Sequence, residues 1–154
     1  MKYCAYTFTQ REKVMSEKRI MCLDLGESRT GVAISDPLGI TAQGAGVIKC
    51  ESFEKDSQKI LEIIKEKNVG KVIIGYPLNL DGSEGAKAKK IKEQFEKLKT
   101  VLPCEAELFD ERFSTKEAER AFEKTGKNWK KKMKVIDEMA AQIILQSYLD
   151  SNNF

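Results

Sequence analysis

The sequence predicts an α/β fold in which an antiparallel three-strand meander leads into parallel βα units, a mixed sheet flanked by helices. Three strand-like apolar runs follow one another across residues 19–49 with only short turns between them, and short turns imply antiparallel neighbours. Beyond residue 50 the apolar spacing changes to a helical period and strands alternate with helices, which implies right-handed parallel crossovers. The length, 154 residues, suits one domain with a real core and is too short for two.

Residues 1–18 read as a polar extension, with Met15-Ser16-Glu17-Lys18 itself a plausible start, and residues 19–151 as the domain. Arg19–Leu25 is an apolar strand closed by a Gly26-Glu27-Ser28 turn, and Thr30–Ser35 a second strand closed by Asp36-Pro37-Leu38-Gly39. Ile40–Lys49 is a weaker third strand, interrupted by glycine and alanine. Phe53–Lys67 carries Phe53, Ile60, Ile63 and Ile64 at helical spacing. Lys71–Tyr76 is a short buried strand, and Glu84–Thr100 a second amphipathic helix with Ile91, Phe95 and Leu98 on one face and Ser83 as its expected N-cap. Glu105–Phe109 is a strand, Ser114–Lys124 a helix opened by the capping box Ser114-Thr115-Lys116-Glu117, and about Lys130–Asp150 a long last helix.

Composition narrows the chemistry. With 41% hydrophobic and 33% charged residues the chain reads as soluble and globular. No apolar run approaches the roughly 20 residues of a membrane span, and the first residues lack the apolar segment of a secretory signal; a cytoplasmic protein without membrane partners is expected. Cys4, Cys22, Cys50 and Cys104 form no CxxC pair, and free thiols are expected, Cys22 and Cys104 as small hydrophobes in or beside strands. There is no histidine, which removes the commonest general base, every Ser-His or Cys-His arrangement and every His-bearing zinc site. Carboxylates, lysines, hydroxyls or an oxygen-ligated metal remain, and Mg²⁺ or Mn²⁺ suits carboxylates best. Net charge is only +3, but residues 124–134 hold six lysines and no acid, either a solvated helix start or a patch for an anionic partner.

Three acids sit where parallel α/β sheets place their sites, at strand C-terminal ends and on a helix facing them. Asp24, in Leu23-Asp24-Leu25-Gly26, is a carboxylate near the end of an apolar strand, which must be paired or bound to a cation unless it merely anchors the turn. Gly26 and Gly31 would allow close approach of backbone or of a substrate phosphate. In Phe109-Asp110-Glu111-Arg112 adjacent residues point to opposite faces, so Asp110 and Glu111 do different jobs, unless the segment is only a surface loop. In the last helix, positions 137, 140, 141, 144 and 148 share a face, so Asp137 extends an apolar stripe and Glu138 points to water; a helix-dipole role is the alternative for Asp137. Gathered carboxylates repel unless protonated or bridged by cations, and two divalent ions about 3.5–4 Å apart would offset that repulsion and cleave a phosphodiester without histidine. The segment Gly75–Gly85 joins a strand to a helix, as either a structural turn or a phosphate cradle; it is no Walker A loop.

Four stretches, LDLGESRTGVAISDP, VIIGYPLNLDGSEG, FDERFST and VIDEMAAQIILQSYLD, resemble in order the YqgF-type (RuvX) family, relatives of the RuvC resolvases. The resemblance implies an RNase H-like fold with a five-stranded mixed sheet, and a metal-binding acidic set at Asp24, Glu111 and Asp137. It further implies a metal-dependent endonuclease, either processing the 5′ end of pre-16S ribosomal RNA or resolving Holliday junctions; a non-catalytic ribosome-assembly factor that binds nucleic acid is the competing class. The extension before Arg19 and the Thr125–Lys134 linker depart from the family pattern. A nucleic-acid partner makes sense of Arg29, Asn79, Ser83, Arg112, Lys131 and Lys134 as backbone-contacting residues, and Trp129 either stacks on a base or packs a helix. An actin-like ATPase is disfavoured, since such proteins close two domains over the nucleotide. A resolvase would favour a homodimer, a processing nuclease could act as a monomer.

Overall fold

Sequence alternation and helical period translate into a three-layer arrangement in the computed structural model, which describes residues 18–111 and 129–152, with side chains in the last helix from Val135. The strands are β1 (Arg19–Leu25), β2 (Arg29–Ser35), β3 (Ala42–Lys49), β4 (Val69–Tyr76) and β5 (Glu105–Asp110). The helices are α1 (Phe53–Lys67), α2 (Ala86–Lys99) and α3 (Trp129–Asn152). The sheet is open, in the order β3-β2-β1-β4-β5. β1–β2 and β2–β3 pair antiparallel, β1–β4 and β4–β5 parallel, as expected. The expected Ser114–Lys124 helix, residues 1–17 of the polar extension and with them Cys4 lie outside the described residues.

Period-two alternation sends the sheet's side chains into two cores. Met21, Leu23, Val32, Ile34, Val72 and Ile74 meet Ile60 and Ile64 of α1 and Ile91, Phe95 and Leu98 of α2. On the opposite face Cys22, Ala33 and Ile73 meet Ala141, Ile144, Leu145, Tyr148 and Leu149 of α3. Two glycines let α3 sit close. A β-carbon at Gly31 would strike the main chain of α3 at Asp137, and one at Gly44 the Glu138 side chain. Glu138 is therefore half-buried against β3, a correction to its expected outward orientation: the bare Gly44 backbone makes room for it. Further along α3, Gln146 Oε1 accepts from Ala42 N (2.9 Å) and Gln142 Nε2 donates to Ala42 O (3.2 Å), so polar side chains satisfy the start of edge strand β3.

Element boundaries shift where side chains take over backbone bonds. β3 begins at Ala42 rather than Ile40 because Asp36 Oδ1 accepts from Ile40 N (2.7 Å) and Thr41 N (2.9 Å). Its pairing to β2 contains a bulge between Gly31 and Ala33, where Gly46 supplies a φ of +101°. Asn68 closes α1 in the left-handed region (φ 53°), its N–H donating to Ile64 O, and β4 starts at the next residue. Ser83 is not the N-cap of α2. Its amide and hydroxyl both donate to Asp81 Oδ1, at 2.9 and 2.6 Å, so the cap falls to Gly85, which offers no side-chain bond. Among the described residues no helix is long and apolar enough to cross a membrane, and Cys22, Cys50 and Cys104 are free thiols.

Candidate active site

β1, β5 and α3 place the three acids on one face of the sheet, with Asp24 electrostatically coupled to Glu111 and to Asp137. Asp24 alternates with Cys22 onto the α3 face of β1, and its antiparallel partner is Gly31, the residue against which the Asp137 backbone rests. Gly31 thus sets the approach of Asp137 to Asp24. Phe109 packs edge-on against Tyr148 of α3, ring centroids 5.4 Å apart, and two residues on Glu111 turns to the same face. Glu111 N donates to Tyr76 O (3.2 Å), and its carboxyl lies over Gly75 of β4, beside Ile144.

Charge accumulates there with little water. Glu111 is 5% exposed; burial first, then the neighbouring Asp24, lift its pKa from 4.5 to about 7. Burial likewise raises Asp24, with Asp137 adding to the effect, and raises Asp137 against the pull of Arg29. Cys22, beneath Asp24 and Glu111, is pushed well above its ordinary range by burial and by both acids, which makes it an inert thiol. Arg29 Nε stands 2.9 Å from Asp137 Oδ2. Both atoms are buried, and the contact is an ion pair. Arg29, expected to meet nucleic acid, is engaged with a site carboxylate in this structure.

Lys87 was not anticipated from the sequence. It lies in the first turn of α2, and its positive charge lowers the pKa of all three acids. A signal existed: α2 has no acid in its first turn, so a lysine there faces the unfavourable end of the helix dipole without compensation from its own helix. Asn79 and Ser83 spend their hydrogen bonds inside the 77–85 loop, Asn79 N donating to Ser83 O (2.9 Å) and Asn79 Nδ2 to Ser83 Oγ (3.0 Å). Arg112 lies outside the described residues, as do the side chains of Trp129, Lys131 and Lys134.

An oxygen-ligated cation can be weighed against these residues. The carboxylates of Asp24 and Glu111 have no hydrogen bond or ion pair with another described residue, while each raises the other's charge burden or that of a neighbour. Two such hard oxygen donors fit a divalent cation. The third acid is held by Arg29, and among the described residues no three acids, cysteines or histidines stand close enough together to cage an ion.

The sequence profile of the family described as "RuvX: Holliday junction resolvase" matches residues 18–151. A Desulforamulus reducens protein named "Putative pre-16S rRNA nuclease" is 44% identical over 133 residues, covering 86% of this chain and 97% of that protein. The fold is similar to that of a Fowlpox virus resolvase solved with Holliday junction DNA (TM-score 0.52, 17% identity, 88% of this chain and 99% of that one). It is also similar to T. thermophilus RuvC solved with a Holliday junction substrate (TM-score 0.50, 13% identity, 88% and 96%). The sheet is thus of the RuvC-like, RNase H type, and the chain belongs to the RuvX family.

Proposed function

We propose that the chain is a metal-dependent endonuclease hydrolysing phosphodiester bonds of nucleic acid, acting in 5′-end processing of pre-16S ribosomal RNA in the cytoplasm. The observation that carries this reading is the pairing of Asp24 with the buried Glu111, lifted to about 7, at the C-terminal ends of β1 and β5, with Asp137 facing them from α3. The substrate follows the name borne by the 44%-identical relative.

In this reading Asp24 and Glu111 would hold Mg²⁺ or Mn²⁺, one ion or a pair, with Asp137 as the third candidate ligand. Bound there, the cation supplies Lewis-acid activation of the phosphodiester and of the attacking water. The chain's own residues do the rest. Burial of Glu111 excludes bulk water and strengthens every charge interaction in the site. Arg29 holds Asp137 against the sheet. Lys87 balances the negative charge and faces an incoming phosphate. Arg112, Lys131 and Lys134 are assigned to the nucleic-acid backbone, with Asn79 and Ser83 shaping the loop beside it.

Junction resolution is the second reading, favoured by the family's description. Incubating the protein with Mn²⁺ and either precursor 16S RNA or a four-way DNA junction separates the two. Cleavage of the RNA near its mature 5′ end, abolished by EDTA, is expected. Symmetric nicking of the junction alone transfers the assignment to resolution, and absence of metal-dependent cleavage on either substrate overturns the nuclease reading.

A further inference from the structure

We infer that one unpaired nucleic-acid strand runs from the carboxylates along the cleft between the β1–β2 turn and α2, its phosphates on a ridge of Lys87, Lys90 and Lys97 and its bases toward Phe53. The inference rests on the nuclease reading for the chemistry of its occupant. A cavity of about 540 Å³ has Leu25, Gly26 and Glu27 on one wall and Lys87, Lys90 and Gln94 on the other. Leu25, Gly26, Glu27 and Gln94 also line an adjoining cavity of about 280 Å³, which continues to Phe53, Asp56 and Lys97. Positions 87, 90, 94 and 97 follow a three-four-three spacing and form one ridge of a helix. Lys87 links this cleft to the acids, since its charge acts on all three.

The two walls differ in what they accept. The α2 ridge offers ammonium groups to phosphates, Lys90 by exchanging its exposed pairing with Glu27 for a phosphate. Facing it are carboxylates of Glu27, Glu51 and Asp56: Glu27 lies 3.8 Å from Lys90, Glu51 is 3.5 Å from Lys55 and 4.0 Å from Lys59, and Asp56 accepts from Glu51 N at 3.0 Å. Carboxylates repel phosphate and accept from exocyclic amino groups of bases, which orients the strand. Phe53, 39% exposed at the cleft rim, presents a ring on which a base can stack. The two cavities, of about 540 and 280 Å³, form a short continuous groove of the kind a single strand occupies.

Fluorescence anisotropy on the full chain tests this in EDTA, with RNA and DNA oligonucleotides of about 12 nucleotides, unpaired or in blunt duplex, a length suited to one binding groove. The double change Lys90→Gln with Lys97→Gln should weaken unpaired-strand binding roughly tenfold and lower the salt slope by about 1.4, at about 0.7 per phosphate contact. Phe53→Ala should weaken it by at least about fivefold, with Phe53→Trp restoring it. An RNA or DNA preference that shares this lysine dependence supports the path and names the source of the strand. Wild-type affinity in both variants, or duplex bound as tightly as single strand, overturns it. Intact metal-dependent cleavage alongside unchanged oligonucleotide binding would refute the path alone; absent cleavage by the wild type would refute the nuclease reading whatever the oligonucleotide affinities.

Discussion

At Glu111 a carboxyl that is 5% exposed stands beside a second carboxylate, and its pKa rises from 4.5 to about 7. Between those values the folded chain keeps a proton that the unfolded chain has released, so the residue's contribution to stability is complete below about pH 4.5 and is lost as the pH rises through 7. At about 1.4 kcal/mol per pKa unit the loss is on the order of 3 kcal/mol. Urea titrations in EDTA at pH 5 and pH 8 should show it in the wild type and largely remove it in Glu111→Gln; equal pH dependence in both would contradict the placement of the carboxyl. Gly31 makes a second test at this scale. Its bare α-carbon accepts the main chain of α3 at Asp137, so Gly31→Ala should cost about 1–3 kcal/mol by overpacking and displace Asp137 from Asp24. A denaturation midpoint unchanged from wild type would show that α3 does not rest there. The sequence left open whether this glycine admits backbone or phosphate; only the packed structure decides for backbone, because the partner lies more than a hundred residues away in the chain.

Among the elements, α3 does most to shape the candidate site, because it carries Asp137 and covers the face on which Asp24 and Glu111 lie. Its stripe of Ala141, Ile144, Leu145, Tyr148 and Leu149 is buried, and Ile144 packs beside the Glu111 carboxyl over Gly75. Ile144→Ala should therefore cost about 2–5 kcal/mol, as other large-to-small core changes do, and should lower cleavage more than an equally destabilising change on the α1 side such as Ile60→Ala. Equal losses of activity would show that α3 serves stability only. Its inward stripe was legible from spacing alone. Less legible were the ends of β3 and α2, where Asp36 and Asp81 bind backbone amides; such bonds depend on the path of a turn, which periodicity does not encode. Glu138 was misplaced for a related reason, since an acid one residue beyond the stripe finds space only because Gly44 faces it.

At the scale of the whole molecule, the switch from short-turn strands to alternating strands and helices specified the mixed sheet, and the observed order β3-β2-β1-β4-β5 realises it. That order places the C-terminal ends of β1 and β5 on one side with β4 between them, so acids 87 positions apart in sequence act on each other electrostatically. Lys87 was missed because its role depends on how α2 is hung over the end of the sheet, a relation no local pattern records. On the proposed reading, the Asp24–Glu111 carboxylates, with Asp137, carry metal-dependent phosphodiester cleavage. The decisive measurement is the Mn²⁺-dependent cleavage rate of Asp24→Asn against wild type on precursor 16S RNA, with circular dichroism confirming the fold. A fall of about 100-fold or more in a folded variant is predicted from loss of a ligand to the activating cation; cleavage at the wild-type rate would contradict the claim.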